Sequence, residues 1–110
     1  MKLPNGERAV VDIAKLTDYC LNPEHPRGKH KARVFAAALG LTADRADDLR
    51  SALLEAAVAA EAVAGDQDQY GQRYVVDFTM EGVSGSVLIR STWIVRAGEE
   101  FPRLTSCFVA

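Results

Sequence analysis

The chain has little of what announces most chemistries. Only two of its 110 residues are cysteines, Cys20 and Cys107, too few for the disulfide framework of a small secreted scaffold. Its only histidines are His25 and His30, and neither cysteine stands at paired spacing with them, which argues against a structural zinc site. There is no P-loop, no GxGxxG and no GxSxG, so the common nucleotide-binding and serine-hydrolase signatures are missing. Nothing in the sequence around Cys107 would lower its pKa enough to make it a nucleophile. The longest stretch free of charged and strongly polar side chains, Val34 to Leu41, has eight residues, whereas a membrane span needs roughly 18. The start MKLPNGERAVV lacks the apolar core of an export signal. These absences predict a soluble, cytoplasmic protein with reduced cysteines, no membrane partner, no metal and no cofactor.

What is present belongs to one globular domain over residues 1–110. Hydrophobic residues make up 48% and charged residues 25%, close to the globular average, which rules out disorder. The net charge is −2, without the basic excess of a dedicated nucleic-acid binder. The charges are nevertheless sorted. Arg27, Lys29, His30, Lys31 and Arg33 form a basic pole with no acid among them, while Asp44 to Asp68 holds seven acids against Arg45 and Arg50. That pattern suits a small anionic target at one spot better than a long polyanion groove.

The first half carries helical periodicity. Val11, Ile13, Leu16, Tyr19 and Cys20 fall at helical spacing, with Asp12 as N-cap and Asn22-Pro23 as the stop. NPEHPRGKH is an irregular loop. A second helix follows with Val34, Phe35, Ala38 and Leu39 as its apolar face and Gly40 beyond its end. Thr42 caps a third, whose stripe is Leu49, Ala52, Leu53, Ala56, Ala57 and Ala60. The second half changes period, predicting strands over Arg73–Met80, Ser86–Arg96 and Arg103–Val109, with a short one near Glu61–Ala64 before the loop GDQDQYG. The fold class is therefore α+β: three N-terminal helices packed on one face of a three- or four-stranded antiparallel sheet. Val87, Ile89, Trp93 and Val95 are expected under the helices. Leu88, Arg90, Thr92, Ile94 and Arg96 take the other face, beside Arg73, Val75, Asp77 and Thr79. The last strand adds Arg103 and Thr105, or Ser106 in the opposite register.

Two groups of residues are candidates for chemistry. Lys29-His30-Lys31 opens the second helix, where unpaired amides and lysines attract an anion and His30 can exchange protons. Arg90, Thr92, Arg103 and Thr105 place guanidinium forks and hydroxyls on neighbouring strands, a combination suited to phosphate oxygens. The plain alternatives are a solvated basic turn and ordinary cross-strand pairs, Asp77 with Arg90 for example. His25, between Glu24 and Pro26, reads as a loop histidine.

The pattern HPxGxHKAxxF at His25 to Phe35, with the later TWIV and PRLTS, is similar to an uncharacterised family of small bacterial proteins known only as a domain of unknown function. At longer range, a His-Lys element before the sheet and Arg, Ser and Thr late in the chain resemble the barnase–EndoU–colicin–RelE group of metal-independent RNases and toxins. That resemblance implies a small RNase-like toxin domain acting on RNA. In it His30 would be acid or base, Lys31, Arg90 and Arg103 would stabilise the phosphate, and Thr92 or Thr105 would position it. The alternative is a non-enzymatic toxin–antitoxin or immunity partner, using the acidic third helix and the exposed sheet edge as contact surfaces.

Overall fold

The computed structural model describes residues 1–110. The order of elements is α1 (Ile13–Lys15), which runs on as a π turn over Leu16–Cys20, then α2 (Lys29–Leu39) and α3 (Ala46–Ala59), then β1 (Ala62–Asp68), β2 (Gly71–Gly82), β3 (Gly85–Arg96) and β4 (Pro102–Val109). The strands form one antiparallel sheet in the order β1-β2-β3-β4. The fold is thus α+β with three helices and a four-stranded antiparallel sheet. No helix is long and apolar enough to cross a membrane.

The first helix departs from regular geometry for a local reason. Asp12 caps it as the sequence predicts, accepting from the Ala14 amide at 3.0 Å. The Leu21 amide then reaches back five residues to the Leu16 carbonyl at 2.8 Å. The widened turn lets Leu16, Cys20 and Leu21 all face the core, more than a regular turn would place there. On α2 the buried residues are Ala32 and Phe35, whereas Val34, expected on the apolar face, is 45% exposed. Gly40 ends that helix in the left-handed region at φ 66°, where a side chain would be strained. Thr42 precedes a 3-10 turn over Ala43–Arg45 rather than α3 itself, and its hydroxyl engages the Asp44 carboxylate instead of a backbone amide.

A single core of 18 buried residues joins the helices to the sheet, with Phe35, Leu49 and Leu53 from above and Val76, Ile89, Trp93, Leu104 and Cys107 from below. Two irregularities shape the sheet. β1 is longer than expected: it runs through most of GDQDQYG, bulges between Ala64 and Gln67, and turns at Gln69-Tyr70. In β4, Thr92 pairs with Ser106 but Trp93 pairs with Leu104, leaving Thr105 as the extra residue. That bulge brings both Leu104 and Cys107 into the core, three positions apart. Neither simple register expected for this strand holds along its whole length, because the phase changes at Thr105. The outer edge of β4 is met at its start by Val10, whose amide and carbonyl bond the Pro102 carbonyl and Leu104 amide at 2.9 and 3.0 Å.

Candidate functional site

The bulge in β4, the π turn and the proline-rich loop meet around one side chain, Lys31. From the first turn of α2 its ammonium donates to the Tyr19 hydroxyl at 3.0 Å and to Ser106 Oγ at 3.3 Å. It lies 4.9 Å from the centre of the Tyr19 ring and 5.4 Å from that of Phe108, within range of a cation–π attraction to each. Lys31 is half-buried, yet no carboxylate stands within salt-bridge distance of it.

The loop is held by its own side chains. The Asn22 side chain accepts from the Glu24 amide at 2.9 Å, an Asx turn. His25 Nδ1 accepts from the amides of Arg27 and Gly28, both at 3.0 Å. With its Nδ1 lone pair so occupied, the neutral imidazole carries its proton on Nε2 and offers that N–H as a donor. The ring meets Tyr19 edge-on, centroids 4.8 Å apart. Gly28 has to be glycine here, since a Cβ would run into the Tyr19 carbonyl oxygen.

Beside this cluster opens a cleft of about 510 Å³. Asp12, Ala14 and Lys15 line it from the first helix, Tyr19, His25 and Arg27 from the π turn and loop, and Thr105 and Ser106 from β4. Lys15 and Arg27, like Lys31, take part in none of the salt bridges. The cleft therefore offers uncompensated positive charge, a histidine donor, a phenol and two hydroxyls, with Asp12 as its one carboxylate. A tetrahedral anion could be held there by several donors at once.

The residues singled out in the sequence are distributed over four places. Thr105 lines this cleft, and Lys31 bonds two of its lining residues, Tyr19 and Ser106. His30 is exposed and lines a separate groove of about 240 Å³ with Lys31, Val34, Phe108 and Val109. Arg90 is held by Asp77 in a two-pronged pair, 2.9 Å at each contact, which holds the Asp77 carboxyl below its ordinary pKa. Arg103 is held in the same way by Glu99 at 2.9 and 3.0 Å and lies over the Phe101 ring. Thr92 and Thr105 have their hydroxyls 2.6 Å apart. Both arginine forks are thus already filled by carboxylates. Asp12, Lys15, Tyr19 and Arg27, which also line the cleft, carry no site pattern in the sequence. Tyr19 looked like one more apolar position on a helix, although Lys15 and Tyr19 are four apart and so share a helical face.

Behind Lys31 the two cysteines are free and fully buried. They are neighbours, although they come from the π turn and from β4. The Cys107 thiol, followed by the Cys107 amide, the Ser106 hydroxyl and the Lys31 charge, outweighs burial and draws Cys20 down to about 7. Cys107 is pushed up by its neighbour and by burial. No group of three or more His, Cys, Asp or Glu side chains is placed to hold a metal ion.

Nothing matches the chain among curated proteins or among solved structures. The family described as a domain of unknown function, DUF6883, matches residues 2–110, and the chain belongs to that family.

Proposed function

We propose that the protein is a metal-independent, RNase-like domain that binds an RNA phosphodiester in the cleft beside Lys31. The observation that carries this reading is the cleft lined by Lys15 and Arg27, neither of them salt-bridged, together with a histidine donor and a phenol that the unpaired Lys31 bonds. Lys15, Arg27 and the His25 Nε2–H would take the non-bridging phosphate oxygens and stabilise the charge that builds on them. The Asp12 carboxylate removes the proton of the ribose 2′-hydroxyl, whose oxygen attacks phosphorus. As the bond to the 5′-oxygen breaks, Tyr19 gives that oxygen its proton and Lys31 stabilises the phenolate left behind. The products are a 2′,3′-cyclic phosphate and a free 5′-hydroxyl. A toxin's role in bacterial conflict would follow from such an activity. A centre on His30, Arg90, Thr92 and Arg103 has less support, since both arginines already grip carboxylates.

End-labelled single-stranded RNA incubated with the protein in excess chelator tests this. Cleavage with cyclic-phosphate ends is expected. Tyr19→Phe should slow it about 10²–10⁴-fold, the range for a lost general acid. Failure of the protein to bind or cut RNA would sink the proposal. Binding without cutting would favour the non-enzymatic partner reading, for which exposed Val63, Tyr70 and Leu88 on the sheet strands and their turn supply apolar contacts.

A further inference from the structure

We infer that the groove between the first turn of α2 and the end of β4 is a nucleobase subsite, placed to take the base of the nucleotide whose phosphate lies in the Lys31 cleft. This rests on the phosphodiester reading above. The groove holds about 240 Å³, and His30, Val34, Phe108 and Val109 line it together with Lys31. Lys31 lines the groove and bonds the wall of the cleft: its ammonium donates to Tyr19 and Ser106, which line the cleft, and stands 5.4 Å from the Phe108 ring on the groove side.

The chemistry of the lining restricts the occupant. Val34 is 45% exposed on a helix whose other face supplies the core, so an apolar side chain there meets water unless something covers it. Two flat rings, those of His30 and Phe108, line the same groove, and the His30 side chain bonds no other group of the protein. Surfaces of this kind suit a flat, π-faced ligand, and stacking on them tolerates any base. A cation stands at the junction. A ligand filling both spaces must therefore be apolar-faced at one end and anionic at the other. A nucleotide has that polarity, whereas an apolar peptide would leave the cationic cleft unused.

The experiment compares two fluorescently labelled oligomers by anisotropy, both with 2′-O-methyl riboses so that binding alone is read. One carries bases and the other is the same backbone without them. The wild-type protein should prefer the base-bearing strand by about 5- to 150-fold, the usual worth of one stacked base. Phe108→Ala should erase that preference, with a circular dichroism spectrum and melting curve matching wild type to show that the variant is folded. Phe108→Tyr should keep the preference, and Lys31→Ala should weaken both strands. Equal binding of the two strands by the wild type, or a preference that survives in Phe108→Ala, overturns the base subsite and leaves the phosphate cleft standing. Binding of neither strand overturns both.

Discussion

Trp93 donates its indole N–H to Ser91 Oγ, two residues back on the same strand, at 2.9 Å. Ser91 in turn donates to the Val76 carbonyl on the neighbouring strand at 2.7 Å. Both side chains are fully buried, and Ser91 is the one buried polar side chain in the chain. A hydroxyl is needed there because the largest core side chain brings a donor with it. Ser91→Ala should cost about 1–3 kcal/mol, since it strands that donor. Trp93→Ala should cost about 3–5 kcal/mol through the cavity it leaves. Urea unfolding measures both, and a Ser91→Ala protein as stable as wild type would contradict the first.

Gly28→Ala should disturb the cleft more than its one added methyl suggests. The Cβ would meet the Tyr19 carbonyl oxygen, so the loop or the π turn has to move. The expected cost is about 1–3 kcal/mol, as for other overpacked sites, with the Tyr19 and His25 resonances shifting together. If the NMR spectrum of the variant matched wild type around Tyr19, the close approach would not be a constraint.

His25 should be found by NMR with its proton on Nε2, because two backbone amides occupy Nδ1. His25→Ala frees those amides and should loosen the loop, visible as faster hydrogen exchange at Arg27 and Gly28. A proton on Nδ1 would disprove the hydrogen bonding that organises the loop.

Stability should rise between about pH 7 and pH 9. In the folded chain Cys20 gives up its proton near 7, while in the unfolded chain an ordinary thiol keeps it until about 8.5. Over that window the unfolded state binds more protons, so rising pH favours the fold, and the gain is lost as pH falls through 7. Above about pH 9 the sign reverses, because Cys107, pushed up, holds a proton the unfolded chain releases. Melting curves at pH 6.5, 8.5 and 10 measure this. Cys20→Ser should flatten the lower limb, and an identical profile for the variant would place the effect elsewhere.

The periodic parts of this fold could be read from the residues, and the aperiodic parts could not. Alternation predicted β2 and β3 to within a few residues and placed Trp93 in the core, because alternation reports which face of a sheet is buried. The same alternation puts Ser91 on the face of Ile89 and Trp93, but what satisfies its hydroxyl there, the indole N–H and the Val76 carbonyl, has no pattern in the sequence. The phase of β4 was hidden by the bulge at Thr105. The cleft was hidden for a related reason. His25, Tyr19 and Ser106 converge through a π turn, a loop and that bulge, none of which has a repeating pattern. His30 and Lys31 were correctly placed in the first turn of α2, but which way each side chain leaves that turn depends on how the loop before it packs.

The bulge near Gly65 and Asp66 bears on how the molecule behaves in company. A sheet grows when an outer strand presents a flat, regular row of amides and carbonyls to a newcomer. β1 is the outer strand on one side. Its row is broken between Ala64 and Gln67, and the strand carries Asp66 and Asp68, after Glu61 at its approach. A second chain trying to zip along it would lose register halfway and meet like charge from its own copy. At the opposite edge Val10 already occupies the amides and carbonyls where β4 begins. Both borders are interrupted, one by the bulge and its carboxylates and the other by Val10, so crowding many of these molecules together should yield a concentrated solution and not a fibre.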